Sequence, residues 1–352
     1  MAIKTLSLTN FRSWEETAFE FDPKINLMVG PNTSGKSNIL EAVYFLAIGK
    51  SLQAQSQKEV IKWGKDHAKI IAQTDPKGKL MIVISENPEG SMQTKKTFKV
   101  NEVPKTRFGF LGNFSAVHFS PADIRLVIGS PTRRRDVLDQ ILSQADHNYL
   151  RALLSYQKII KQKNKLLEVL KGKTGDIPEL DFWNGSAEKN GKYIQESRRN
   201  FIKYCNTLLL EVAPRLNSPK ESLVINYKPN IISKERLEIV KRDEIAKGVS
   251  LVGPHRDDYN FIKNSTKDLE LYGSRGEQRT AVFALKLCEI AFLEESLKQT
   301  PVLLLDDIFS ELDKIHRRNI LTVLDKYQSI ITTVEMSLVP KGILNKAKVF
   351  EI

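Results

Sequence analysis

Gly30-Pro31-Asn32-Thr33-Ser34-Gly35-Lys36-Ser37 decides the fold of this chain. The octet follows the pattern G-x-x-x-x-G-K-[ST] of a phosphate-binding loop. An alternating apolar run, Ile25, Leu27 and Val29, precedes it, and Ile39, Ala42, Val43 and Leu46 follow at helical spacing. That is the strand–loop–helix setting the loop needs. Gly30 and Gly35 let the backbone turn so that its N–H groups face phosphate oxygens. The helix start, with Asn38 in its first turn, adds a favourable potential for negative charge. Lys36 supplies a point charge for the β- and γ-phosphates, and the Ser37 hydroxyl is a ligand for Mg²⁺. The expected cofactors are ATP and Mg²⁺, with residues 30–38 in contact with the nucleotide.

A matching half lies near the other end of the sequence. Val302-Leu303-Leu304-Leu305 reads as a buried parallel strand with Asp306 and Asp307 at its C-terminal end, where ligands bind in open α/β sheets. Asp306 is placed to hold Mg²⁺, and Asp307 to orient the attacking water. Ser310-Glu311-Leu312-Asp313 comes next, then an amphipathic helix. The strand Ser329–Thr333 ends in two hydroxyls, Thr332 and Thr333, expected near the γ-phosphate or its water.

Between these halves the sequence changes character twice. Strands at 3–10 and 17–21 lead to the loop, with Arg12 between them, positioned for nucleotide or DNA phosphate. Short strands at 69–72, 80–85 and 94–100, with turns at 75–78 and 87–90, predict an antiparallel sheet beside the nucleotide-binding one. Lys95, Lys96, Lys99, Lys105 and Arg107 form a basic strip there. Then Arg133-Arg134-Arg135 opens a helix, where the dipole disfavours cations unless an anion answers them. From Val137 to Leu170 apolar residues recur at helical spacing, with Lys158, Lys161, Lys163 and Lys165 read as the polar face. A second helical run at 186–210 completes a hairpin lobe inserted between the two ATPase halves.

After the lobe, Gly253-Pro254-His255-Arg256-Asp257-Asp258 offers two acids and one histidine, which fix no metal geometry, so a turn stabilised by charge pairs is expected. Ser274-Arg275-Gly276-Glu277-Gln278 caps the helix 281–293 and can receive a phosphate at its start.

The charge is positive and unevenly placed, as a polyanionic partner or surface solvation alone would each allow. Net charge is +12, and the excess lies early: residues 1–132 carry 17 basic and 12 acidic side chains, 133–210 carry 15 and 9, and 211–352 carry 22 and 21. A polyanionic partner is plausible on that ground. The two cysteines, Cys205 and Cys288, read as core residues, with neither a disulfide framework nor zinc spacing. No signal peptide or membrane-length apolar run is seen, so a cytoplasmic location without membrane contact is expected.

The order of phosphate loop, long insertion, Ser-Arg-Gly-Glu-Gln, Leu-Leu-Leu-Asp-Asp and Ser-Glu-Leu-Asp resembles the SMC-like ABC-type ATPases of DNA maintenance. Within them, Asn10-Phe11-Arg12, Phe119-Ser120-Pro121-Ala122-Asp123, residues 253–258 and Gln278-Arg279-Thr280 look like the bacterial RecF family. The resemblance implies an α/β fold: an ABC-type P-loop ATPase head with an accessory antiparallel sheet and an inserted helical-hairpin lobe. The head is expected from 1–132 and 216–352, and the lobe from 133–215. Lys36 and Ser37 would be Walker A, Asp306 and Asp307 Walker B, Ser274–Gln278 the signature acting in trans, and Ser310 and Asp313 the D-loop. ATP-driven self-dimerisation, slow hydrolysis and sequence-independent DNA binding through Lys95, Lys96, Lys99, Lys105, Arg107 and Arg133–Arg135 are implied. RecR, RecO and RecA are the implied functional partners, with RecA loaded onto gapped DNA. Three departures stand out: Arg275 replaces a common glycine, Asp307 a common glutamate, and Thr332-Thr333 the switch histidine. No Q-loop glutamine is evident near 114–123. A transporter ATPase subunit, or an ATP-switched interaction protein without a DNA role, would be the alternatives.

Overall fold

The computed structural model describes residues 1–51, 54, 56–86, 94–171, 177–216, 221–310 and 314–352. The chain separates into two compact units, Met1–Asp123 with Glu289–Ile352, and Ile124–Cys288.

The first unit holds two sheets. Five strands, β3 (Ile25–Val29), β8 (Ala116–Phe119), β12 (Val302–Asp306), β13 (Ser329–Thr333) and β14 (Ala347–Glu351), form a parallel sheet in the order β14-β3-β13-β12-β8. Leu27, Met28, Leu303, Leu304, Leu305, Ile330 and Ile331 are fully buried in it. That is why these strands read as apolar runs and not as alternations. The register pairs Val29 with Thr333 and Asp306 with Thr332. The phosphate loop, the acid pair and the two threonines therefore leave the same edge of the sheet.

The other sheet is antiparallel, in the order β2-β1-β4-β5-β6-β7. Its strands are β1 (Ala2–Phe11), β2 (Trp14–Glu20), β4 (His67–Asp75), β5 (Gly78–Ser85), β6 (Lys95–Val100) and β7 (Val103–Lys105). It is the accessory sheet expected from the turn spacing, enlarged by the first two strands. The turn expected at 87–90 lies outside the described residues. The loop helix Lys36–Ile48 touches strands of both sheets, and from Ile39 to Ile48 every side chain is buried. A helix buried on all sides is a core helix, and its one acid, Glu41, is paired with Arg12.

The second unit contains helices Pro131–Ala145, His147–Val169, Pro178–Leu216 and Lys234–Lys247, with a small antiparallel sheet in the order β11-β10-β9 (Lys267–Asp268, Asp258–Lys263 and Leu223–Lys228). The run expected from Val137 to Leu170 is two helices. Asp146 stops the first and caps the second, its carboxylate accepting from Asn148 N at 2.7 Å. The units divide at 123/124 and 288/289. Strand β9 belongs with the helices of the second unit. Asn206 on the long helix bonds both the carbonyl and the N–H of Ile225, at 2.9 and 2.8 Å, which ties the strand to the helices.

Candidate nucleotide site

The phosphate loop is shaped by what surrounds it. Gly35 has φ +96°, and a Cβ there would stand 2.8 Å from Ser13 Oγ and 3.0 Å from Trp14 Nε1. Only glycine fits both constraints. Trp14 Nε1 donates to Gly35 O at 3.3 Å, and Asn38 Nδ2 to Ser13 Oγ at 2.9 Å, so the β1–β2 turn braces the loop. Lys36 Nζ donates to the carbonyls of Gly30 (2.7 Å) and Pro31 (2.5 Å). Burial pushes its pKa down, and Asp307 and Asp306 pull it back up. Among the described residues, the N–H groups of Thr33, Gly35, Lys36 and Ser37 have no protein acceptor. They are the donors a phosphate would take.

Asp306 is the meeting point of the acid half. Its Oδ1 accepts from Ser37 Oγ at 2.9 Å and from Thr332 Oγ1 at 2.8 Å. Asp307 follows with φ 48°, a left-handed conformation that Asp tolerates better than most residues. Its N–H is shared between Thr332 O (3.2 Å) and Thr332 Oγ1 (3.1 Å). Thr332 thus fixes both acids, whereas the Thr333 hydroxyl donates to Glu335 O at 3.0 Å. A cleft of about 170 Å³ is lined by Asn32, Thr33, Lys36, Asp306, Asp307 and Thr332. A larger one of about 1080 Å³ shares Asn38 with it and is lined by Arg12, Ser13, Lys62, Trp63 and Lys65. Trp63 is 98% exposed. No periodicity marks residues 62–65; an aromatic set among lysines is their signal in the sequence. Among the described residues no group of His, Cys, Asp or Glu could hold a metal by itself. Ser310 closes the short helix Ile308–Ser310, and Asp313 lies outside the described residues.

In the second unit Ser274 caps helix Arg275–Leu297. Glu277 N donates to Ser274 Oγ at 3.3 Å, and Ser274 N to Glu277 Oε2 at 2.7 Å, a capping box. Lys267 and Lys263 hold the same carboxylate at 2.8 and 2.9 Å. With the Ser274 amide they bring its pKa down to about 2, the Lys267 bond contributing most. Ser274, Arg275 and Gly276 are exposed, while Gln278 is buried and donates to Leu269 O at 2.9 Å.

Residues 2–350 match the family model described as the RecF/RecN/SMC N terminal domain. The DNA replication and repair protein RecF of Halalkalibacterium halodurans is 35% identical over all of this chain and 98% of that protein. Its counterpart from Staphylococcus aureus is 34% identical over 100% and 98%. The chain belongs to the RecF family. A solved structure of the recombination mediator protein RecF with ATP, in the RecFOR pathway, superposes with TM-score 0.86 at 31% identity, over 96% of this chain and 93% of that one. An Smc head domain from Pyrococcus furiosus shares the fold at TM-score 0.53 and 17% identity, covering 99% and 92%. The ABC-type head with its antiparallel sheet and helical region is thereby the fold of this RecF-family chain.

Several basic residues expected on DNA are occupied within this RecF-family protein. Arg134 is buried, with Nε and Nη2 on Asp258 at 2.6 and 2.9 Å and Nη1 on Gly129 O at 2.9 Å. Arg135 donates to Asp257 O (2.9 Å) and Thr132 Oγ1 (3.0 Å). Arg134 is thus answered by an internal charge and Arg135 by uncharged acceptors, while among the described residues the Arg133 side chain has no hydrogen-bond or ion-pair partner. Lys96 Nζ donates to Gly49 O at 3.1 Å and Gln57 Oε1 at 3.0 Å, and burial pushes its pKa down to about 8. Arg107 Nη2 donates to Ile48 O at 3.1 Å. Both therefore cap the C-terminal end of the loop helix, where carbonyls and the dipole favour cations. Lys95 and Lys105 are exposed and Lys99 is half-buried. Arg12 lines the larger cleft and grips Glu41 bidentately, both bonds 2.8 Å. Lys163, expected on a polar face, is fully buried against Glu244 at 2.7 Å.

Residues 253–258 are a structural knot. Asp257, fully buried, accepts from Tyr227 (2.5 Å), Gln195 (2.7 Å), Asn230 N (2.8 Å) and Arg198 (2.9 Å). His255 Nδ1 faces Tyr156 OH at 2.8 Å, and burial pushes its pKa down to about 4. The charge-paired turn expected from sequence is present, and it reaches into three helices.

Proposed function

We propose that this protein is an ATP-switched, DNA-binding ATPase of recombinational repair and replication restart, acting as a dimer that closes on two nucleotides. The observation that carries this reading is the convergence of Ser37 and Thr332 on one oxygen of Asp306, beside Lys36, in a cleft edged by unsatisfied loop N–H groups. On ATP binding, Lys36 exchanges its own loop carbonyls for the β- and γ-phosphates. Ser37 and Asp306 would hold Mg²⁺, which when bound neutralises charge on those phosphates. Asp307 orients the attacking water, and Thr332 positions both acids. The adenine end extends past Asn38 toward Trp63, whose exposed ring offers a stacking face.

The exposed start of helix Arg275–Leu297, with Ser274–Gly276 outward, suits a γ-phosphate on a second copy. The Ser274 hydroxyl accepts from Glu277 N and keeps its own proton to donate. Ser310 and Asp313 are assigned to the same interface by family pattern. In this scheme residues 1–132 and 216–352 supply the ATPase and 133–215 the lobe. Lys95, Lys99 and Lys105 contact DNA phosphate without reading sequence. RecR and RecO are the proposed partners in loading RecA, in the cytoplasm.

Sedimentation and phosphate release test the reading together. Wild type assembles with ATP and dissolves as ATP is hydrolysed slowly. Asp307→Asn binds ATP, stays dimeric and stops turnover. Ser274→Arg binds ATP and stays monomeric. Wild type remaining monomeric at micromolar concentration with ATP would refute the switch.

A further inference from the structure

Helix His147–Val169 contains no acidic residue from His147 to Leu167, yet carries Arg151, Lys158, Lys161, Lys163 and Lys165. At 3.6 residues per turn, all of these except Lys163 fall within an arc of about 80°, opposite the buried Tyr149, Leu153, Tyr156 and Leu167. The four in the arc are exposed. Lys163 is turned inward and has its own carboxylate, Glu244. Among the described residues none of the four exposed cations forms an ion pair.

The adjoining long helix is built differently. There Lys192 pairs with Glu188 at 2.7 Å, and Arg199 pairs with Glu196. Like charges three, four and seven residues apart repel one another on a helix face. Arg151, near the N-terminal end, also opposes the helix dipole. A face with that composition is stabilised by an external polyanion. Fourteen residues separate Arg151 from Lys165, so the row is straight and about 21 Å long at 1.5 Å per residue. Duplex DNA presents one phosphate charge per roughly 1.7 Å of axis, so the row can meet several phosphates at once.

We propose that Arg151, Lys158, Lys161 and Lys165 form a binding site for the phosphodiester backbone of duplex DNA, on the helical lobe. It rests on the DNA-binding reading above and adds a surface separate from the lysines of the accessory sheet. Because three of the four are lysines, point charges without a planar fork, the contacts carry position and no sequence information.

The test is fluorescence anisotropy of a labelled duplex across a salt series, using the full chain with and without ATP and Mg²⁺. The variant carries Arg151→Gln, Lys158→Gln, Lys161→Gln and Lys165→Gln together, all exposed positions that keep helix propensity. A control carries Lys192→Gln and Arg199→Gln, cations that already have acids. Each lost phosphate contact should flatten the plot of log affinity against log salt by about 0.9 and weaken binding up to about tenfold near 0.1 M salt. The fourfold variant should lose roughly two to four such units, with DNA-free ATP turnover unchanged, and the control none. An unchanged slope in the fourfold variant overturns the proposal, as does an equal loss in the control, which would reflect net charge alone. Retained DNA binding with lost binding to polyglutamate assigns the row to an acidic protein instead. Wild type failing to bind the duplex at low salt overturns the DNA reading itself, and this site with it.

Discussion

Replacing Arg198 by methionine isolates the energetic role of the buried knot in the second unit. Its guanidinium, 2% exposed, reaches Asp139 at 2.7 Å, Asp257 at 2.9 Å, Pro254 O at 2.7 Å and Tyr149 OH at 3.2 Å. Methionine fills much of the volume but leaves two carboxylates without their counter-charge. Removing one partner of a buried ion pair costs about 3–5 kcal/mol. Asp257 keeps three donors and Asp139 keeps the Tyr149 hydroxyl, so the loss should fall near the lower end, about 3 kcal/mol. That is a large part of the 5–15 kcal/mol typical of a domain. Urea unfolding followed by the fluorescence of Trp183, on the long helix of the same unit, measures it. Adding Asp257→Asn should restore part of the loss, because the stranded charge is gone. ATP affinity should stay at the wild-type value. A loss below about 1 kcal/mol would show that the neutral donors suffice, against the argument from charge.

Lys36→Met should abolish nucleotide binding itself, read by equilibrium titration with a fluorescent ATP analogue; retained affinity would remove the ammonium from the phosphate site. Glu277 has its folded pKa, about 2, below its ordinary value of 4.5, so its contribution to stability is complete above pH 4.5 and is lost as pH falls through about 2. Carboxyl ¹³C titration should find that low value, and Glu277→Gln should flatten the acid limb of the stability profile; titration near 4 would mean that Lys263 and Lys267 do not hold it in solution. Lys163→Met and Glu244→Leu singly should each cost about 3–5 kcal/mol in denaturant melts, while the pair together should be close to neutral.

Sequence carried the ATPase sheet well because its signals are local. Ile25–Val29, Val302–Asp306 and Ser329–Thr333 announce themselves by apolar runs that end in functional polar residues. It could not announce what side chains do once long-range partners arrive. Arg134 meets an aspartate 124 positions later. No local pattern distinguishes it from Arg133, although three consecutive helical residues, about 100° apart, cannot share one face. The same geometry places Lys163 on the side of Tyr156 and Leu167, away from Lys158 and Lys161. Composition groups Lys96 and Arg107 with the basic strip, whereas their positions are set by a helix end more than 45 residues away. Trp63, exposed and isolated, contributes to no periodicity.

The loop helix is held at both of its ends by one sheet. Ser13 and Trp14, at the turn joining β1 and β2, brace its start, and Lys96 of β6 holds its finish at Gly49 O. Such a helix acts as a spar fixed across a plate. A force applied at the phosphate end cannot be absorbed by sliding the helix along the sheet, because each stop opposes the other. It must tilt plate and spar together.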